Sequence, residues 1–272
     1  MSRAVGVAVL FFGAVLLAAC GPEPQQPAPT PVAPLRVASA SSARPLVDAL
    51  ARAWRDAGRG TPLDVWETNA ALALARLEAG QADLVATCWK PEEEETPLPT
   101  SQADWQWVPF AYDAVVIVVH AENPLEGLTL AQVREVFAGR VARWLELGGG
   151  PEKVLPVSRE EGAGTRWDFE TLVMQGKRIT PAAVVMPSGQ AVVAYVAEHP
   201  GAVGYVGLAQ ASSEGVKALA LEGIAPSVTA VRAGAYPLPR LCYLVLPKAP
   251  SPLAEAFVRF ATSEPGQAVL PR

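Results

Sequence analysis

The sequence predicts an α/β fold organised on a largely parallel sheet, and three observations lead there. Short β-branched, apolar runs alternate with longer segments whose apolar residues fall at helical spacing, the pattern of parallel strands joined by helices. Small polar residues or glycines stand where each strand gives way to a helix, the end at which such sheets bind ligands. Half of the 272 residues are hydrophobic, enough for a sizeable core. From Leu35 onward the length suits one large domain or two lobes of roughly 100–150 residues.

Taken in order, Leu35–Ala38 reads as the first strand and Ser39–Ala43 as its turn. Pro45 then sits early in a helix whose apolar face is Leu46, Val47, Leu50 and Trp54, because proline lacks the N–H that a first helical turn does not use. Leu63–Trp66 is the next strand, followed by Glu67-Thr68-Asn69 and a helix carrying Leu72, Leu74 and Leu77, stopped by Gly80. Ala82–Thr87 is a third strand. Ser41, Ser42, Thr68, Thr87 and Cys88 therefore fall at strand carboxyl ends. Glu92–Glu95 reads as a solvated charge run, and Trp105-Gln106-Trp107-Val108 as strand packing.

Ala114–Val119 is a continuous buried strand. Thr129 caps a helix that buries Val133, Val136 and Phe137 and ends at Gly139. Val154–Val157 is another core strand. Beyond the loop that follows it come a strand at Val184–Met186, a Ser188-capped helix with Val192, Val193 and Val196, and a tight turn at Pro200-Gly201 into a strand through Val206. Leu241–Leu246 is a last buried strand, and Leu253, Phe257 and Phe260 line a last helix.

The segment Arg159-Glu160-Glu161-Gly162-Ala163-Gly164-Thr165 carries the chemistry. Gly162 and Gly164 permit positive φ and close approach. Thr165 or the turn before it caps the helix through Trp167, Phe169, Leu172 and Val173. The open N–H groups and positive dipole end of that helix favour an anion. Arg159 adds a fork of donors that matches two oxygens of a tetrahedral oxyanion.

The ends and the composition place the chain. Arg3 precedes an apolar run from Val5 to Leu17 that ends in Leu17-Ala18-Ala19-Cys20, the form of a secretory signal rather than a membrane span. The Leu-Ala-Ala-Cys ending resembles a bacterial lipobox, which implies cleavage before Cys20 and lipid on its thiol. Residues 21–34 are rich in proline and read as an extended tether lifting the body off a membrane. A net charge of −5 without a basic stripe argues against nucleic acid. No cofactor is implied, and no metal either: His120 and His199 lie far apart without Cys or Asp at ligand spacing. Cys88 and Cys242 pair only if their Cα atoms come within about 7 Å; two free buried thiols are the expectation.

An ordered set of motifs points further. Asn123-Pro124, Leu128-Thr129-Leu130-Ala131-Gln132-Val133, Val136-Phe137-Ala138-Gly139, Trp144 with Gly148-Gly149, Pro156-Val157-Ser158-Arg159, Gly162-Ala163-Gly164-Thr165 with Phe169, and Pro200–Val206 follow the order found in the PstS-like phosphate-binding lipoproteins of bacterial ABC importers, which this chain resembles. The resemblance implies a two-lobed periplasmic-binding-protein type II fold with a hinge, lobe 1 being residues 35–110 plus 240–272 and lobe 2 residues 111–239. It implies phosphate or a related oxyanion as ligand, ABC permease subunits as partners, and a monomer lipid-anchored on the extracytoplasmic face of the cell membrane.

Carried over position by position, the family's loop arginine falls on Arg159 and the acidic residue that orients it on Glu161. The Ser-Gly-Thr that follows falls on Ala163, Gly164 and Thr165, so the first hydroxyl is missing here. The opposite jaw falls on Ser41, Ser42 and Thr68. The family's aspartate after the third strand falls at Cys88, or at Thr87 with a slip of one. Without that carboxylate the clearest reason to name the anion phosphate is lost, and sulfate, a related oxyanion or an organophosphate stays open as the ligand. Two other classes compete: an enzyme of transferase or phosphatase type on the same fold, for which Cys88 is the tempting nucleophile, and a sensor or scaffold with an altered pocket.

Overall fold

Local sequence decides each early element. A computed structural model describes residues 33–59, 61–91 and 104–271; Cys20 with its signal segment, most of the tether and Glu92–Glu95 lie outside these described residues. β1 (Leu35–Ala40) is followed by α1 (Arg44–Asp56), with Pro45 in its first turn and Leu46, Val47, Leu50 and Trp54 buried. β2 (Leu63–Thr68) leads to α2 (Ala70–Glu78), whose N-cap Asn69 accepts from the Leu72 amide. Leu72 itself points outward at 45% exposure, against expectation; Ala70, Ala73, Leu74 and Leu77 form the buried face instead. β3 (Leu84–Thr87) completes the unit.

The two apolar runs expected around Trp105–Val108 and Ala114–Val119 belong to one fifteen-residue strand, β4 (Gln106–His120). A short β5 (Gly127–Leu128) precedes α3 (Leu130–Phe137), which carries a full capping box between Thr129 and Gln132. β6 (Leu155–Arg159) leads into α4 (Gly164–Phe169), which widens into a π-helical turn over Glu170–Met174. β7 (Val184–Met186), α5 (Gly189–Glu198, capped by Ser188) and β8 (Ala202–Gly207) follow. The small elements β9 (Val216–Ala218), β10 (Ala220–Leu221) and α6 (Val228–Arg232) precede β11 (Pro239–Leu246), α7 (Pro252–Thr262) and α8 (Glu264–Ala268).

The sheet runs β2-β1-β3-β11-β4-β8-β6-β7, with β9 beside β4. It is parallel only toward its two ends, where β1 pairs β2 and β3, and β6 pairs β7 and β8. In the middle, β11 and β4 run antiparallel to each other and to their outer neighbours β3 and β8. The expected parallel sheet is thus two parallel patches joined by two long antiparallel strands. Periodicity cannot reveal this, because buried strands of either sense read as continuous apolar runs.

The buried residues cluster accordingly. One cluster packs β4, β6, β8, α3, α4 and α5 around Phe137, Trp144, Phe169 and Tyr205. Another packs α1 against α7, with Trp54 edge-on to Phe257 and Phe260, each such side chain contributing about 1.5–3 kcal/mol by burial. A third lies under α2 and includes Trp89. Among the described residues no helix is long and apolar enough to cross a membrane.

Candidate functional site

The candidate site begins where β6 ends. Arg159 is its last residue and is only 2% exposed. Its Nε donates to the Met186 carbonyl at 3.2 Å and its Nη2 to the Pro187 carbonyl at 3.1 Å. No carboxylate among the described residues forms an ion pair with it. Burial holds its pKa below the ordinary arginine value, while the charges of Glu160 and Glu67 act the other way. Glu161, which the resemblance implied would orient this arginine, forms no ion pair with it among the described residues; it is exposed, and its charge acts on Arg166. Backbone carbonyls hold Arg159, because the chain leaving β7 turns beneath it.

Tyr205 fixes the loop at both ends. Its hydroxyl lies 2.7 Å from Ser158 Oγ and accepts from the Arg159 amide at 3.2 Å. Its ring stacks on Phe169 of α4 at 4.1 Å. Arg166 closes the loop by donating to the Arg159 carbonyl at 3.1 Å and to Glu170 at 2.8 Å. Gly162 takes φ +81°, a conformation that side chains rarely adopt, and its carbonyl accepts from the Ala71 amide at 3.1 Å. Gly164 serves close approach instead: a Cβ there would lie 2.4 Å from Trp89 Cβ. Trp89 and Trp167 lie alongside, tilted by 33° with ring centroids 4.1 Å apart.

Ala163, not Thr165, is the N-cap of α4, and no side chain caps it. The Gly164 and Thr165 amides therefore have no intrahelical acceptor, whereas the Arg166 amide donates to the Ala163 carbonyl at 2.9 Å. Thr165 Oγ1 accepts instead from Arg240 Nη1 at 3.2 Å. Arg240 also donates to Asp168 at 2.8 Å and pairs with Asp113 at 2.7 Å, and all three side chains are largely buried. Burial alone would lower the Arg240 pKa, but the two carboxylates raise it. Asp113 additionally accepts from the Leu208 amide at 2.7 Å. This network was not anticipated. Its signal was present as one acidic and one basic residue embedded in otherwise apolar strands, Asp113 in β4 and Arg240 in β11.

On the other side, Ser41 and Ser42 are buried at 3% and 5% exposure in the turn before α1. The Ser41 amide donates to the Thr68 carbonyl at 3.0 Å, so the turns after β1 and β2 are tied together. The Ser41 carbonyl accepts from Gln210 Nε2 at 3.1 Å. Thr87 is turned inward: its hydroxyl donates to the Trp89 carbonyl and accepts from the Trp89 amide, each at 3.2 Å.

Cys88 and Cys242 are joined as a disulfide, which corrects the expectation of two free thiols. The pairing Thr87↔Tyr243 in the β3–β11 register puts the two cysteines directly opposite one another. That antiparallel contact spans 154 residues of sequence, beyond the reach of local reasoning. The bond also leaves Cys88 without a thiolate, so it is neither a nucleophile nor a metal ligand in this form. Its sulfur lies within 4.8 Å of an Asp113 carboxylate oxygen, which sets it beside the Arg240–Thr165 network. A groove of about 660 Å³ lined by Phe110, Tyr112, Arg232 and Leu241 contains none of the anticipated site residues.

A mixed α/β sheet whose two parallel ends are joined by the antiparallel β4 and β11, with a buried arginine at the end of β6, defines the class. Residues 24–265 match the PBP superfamily domain, and the chain belongs to that superfamily. Within it the chain is PstS-like. It is 26% identical to the phosphate-binding protein PstS of Bacillus subtilis over 85% of this chain and 75% of that protein. It is 31% identical to PstS of Pseudomonas aeruginosa, over 60% of this chain and 57% of that one. A Clostridium perfringens structure assigned as a phosphate ABC transporter substrate-binding protein, with bound phosphate, superposes with TM-score 0.78 at 23% identity, covering 86% of this chain and 95% of that one. An ABC-type phosphate transport receptor from Vibrio cholerae superposes with TM-score 0.67 at 25% identity, covering 86% and 96%.

Proposed function

We propose that the chain is an extracytoplasmic solute-binding protein that captures phosphate between two lobes and delivers it to an ABC importer. The observation that carries this reading is Arg159, a buried cation held by two carbonyls and left without a carboxylate partner among the described residues. A buried charge without a counter-ion costs several kcal/mol, and a dianion seated against Arg159 offsets that cost. The amides of Gly162, Gly164 and Thr165 supply donors from lobe 2, the Ala163 amide being engaged with the Glu160 carbonyl at 3.4 Å; Ser41, Ser42 and Thr68 supply hydroxyls from lobe 1. Cys88 and Thr87 shape the wall rather than bind. The lobes are residues 35–110 plus 240–272 and residues 111–239, with β4 and β11 as the hinge strands.

The phosphate-binding character of the relatives supports the ligand and the importer. The lipobox at Cys20 and the tether support anchoring at the outer face of the membrane, within reach of a permease. Binding is the whole activity in this reading; no bond in the ligand is made or broken.

Titration calorimetry of the chain against phosphate, sulfate, molybdate and arsenate tests it. Phosphate binds, and Arg159→Ala weakens it about 100-fold, the loss of two charge-assisted hydrogen bonds worth about 1.5 kcal/mol each. Absence of binding to every anion, or an unchanged constant in the variant, overturns the reading.

A further inference from the structure

The cradle and its surroundings differ in chemistry. The groups assigned to the cradle are mostly donors: the loop amides and the Arg159 guanidinium can only donate, and the hydroxyls are the only groups among them that can also accept. The two nearest buried carboxylates, Asp113 and Asp168, are both committed to Arg240. Such a set suits an oxyanion that carries no proton of its own. A phosphomonoester, with a second pKa near about 6, is in that state at neutral pH. Orthophosphate always carries at least one proton there, which needs an acceptor.

A polar groove of about 440 Å³ is linked to the Ser41 turn through Gln210. It is lined by Arg44, Asp48, Arg52, Glu67, Gln190 and Gln210. Arg44 stands two residues after Ser42, Glu67 immediately precedes Thr68, and Gln190 stands two residues after Ser188. Glu67 lies close enough to Arg159 for its charge to favour the charged guanidinium. Among the described residues, neither Arg52 nor Glu67 has an ion-pair partner. Trp89 and Trp167 cover the Gly164 flank, whereas this groove lies at the Gln210 flank.

Gln210 makes the groove specific. It is 5% exposed, and its Nε2 donates to the Ser41 carbonyl. That bond fixes the amide orientation, since the flipped form would set oxygen against oxygen. Its Oε1 is buried without a hydrogen-bond partner, packed where a Cβ on Gly189 would collide with it. A buried acceptor left unpaired is costly, and a donor arriving beside it recovers that cost.

Resting on the phosphate reading above, we propose that the site takes small phosphomonoesters whose organic part carries hydroxyl donors, with the phosphate in the cradle and the polyol in the groove beside Glu67 and Gln210. Three terminal oxygens remain for the amides and Arg159, and the ester oxygen points out of the cradle. The polyol hydroxyls donate to Gln210 Oε1 and the Glu67 carboxylate.

Calorimetry of the full chain at pH 7.5 with orthophosphate, glycerol 3-phosphate and n-propyl phosphate tests it. Glycerol 3-phosphate is expected to bind about tenfold more tightly than propyl phosphate, one hydrogen bond to a buried acceptor. Glu67→Gln and Gln210→Met are each expected to bring that ratio below about threefold, thermal melts verifying that the variants fold. Should Gln210→Met fail to fold, Glu67→Gln alone decides. Orthophosphate binding with both esters weaker by about 100-fold, or equal binding of the two esters, overturns the proposal and leaves the phosphate reading standing. A preference for glycerol 3-phosphate that survives the variants also overturns it. If none of the three binds, the phosphate reading itself fails.

Discussion

The two sides of the cleft are built on opposite principles. On the Arg159 side, a strand end, a glycine turn and a helix start leave the Gly164 and Thr165 amides without a helical acceptor and Arg159 without a carboxylate partner among the described residues, and Tyr205 and Arg166 hold the loop in place. On the Cys88 side, polar groups are spent internally: the Thr87 hydroxyl serves Trp89, and Cys88 is bonded to Cys242. In the proposed reading the first side supplies most of the donors, and the wall at Thr87 and Cys88 stiffens the second. A closing clamp needs both, because a donor array gains affinity only if its opposite wall is already ordered.

The largest expected effect breaks the stiff wall. Reducing the disulfide, or replacing both cysteines by serine, removes a link between residues 154 apart and is expected to cost about 2–5 kcal/mol. Thermal unfolding with and without reductant measures it, and an unchanged melting temperature denies the wall its structural role. Next is Gly164→Ala. Its methyl collides with Trp89, so overpacking is expected to cost about 1–3 kcal/mol, read both as lost stability and as weaker anion binding. If binding is retained at full strength, the Trp89–Trp167 contact is not needed for closure.

A matched pair of hydroxyl deletions sharpens the contrast. Thr165→Val is expected to weaken phosphate binding by about 1 kcal/mol, because its hydroxyl sits between Arg240 and the cradle. Thr87→Val is expected to lower stability by a similar amount, about 1 kcal/mol, with affinity nearly unchanged. Equal effects on affinity would erase the distinction between the two sides.

The smallest effect lies outside the cleft, at the Arg36–Asp83 pair that ties β1 to the start of β3. Hydrogen bonding from Arg36 depresses the Asp83 pKa, against the opposing effect of burial. A carboxyl with a depressed folded pKa adds stability above its unfolded pKa of about 3.9, and that stability is lost as pH falls through the folded value. With Arg36 40% exposed, screening limits the effect to less than about 1 kcal/mol. Asp83→Asn should flatten the acid limb of a stability–pH curve only slightly.

The recognising side was more legible in the sequence than the stiff one, for physical reasons. Gly162, Gly164 and Arg159 lie within six residues, and their conformational and charge demands are local. The caps at Thr129 and Ser188 were equally local and were read correctly. Glu161 shows the limit of local reasoning, because nearness in sequence says nothing about side-chain direction across a glycine turn. Arg240, Asp113 and Gln210 were missed because each acquires its partner from a distant segment, at separations of 127 residues for Arg240–Asp113 and 169 for Gln210–Ser41.

By itself, the sequence determined the α/β class, the order of the main helices and strands, and an anion-ready loop at Arg159–Thr165, since these follow from local propensity, periodicity and backbone freedom. Only the tertiary structure decided that β4 and β11 run antiparallel between the two halves, that Cys88 faces Cys242, and that Arg240 grips Thr165. Those depend on strand register and burial, which are set by the packing of the whole chain rather than by any stretch of it.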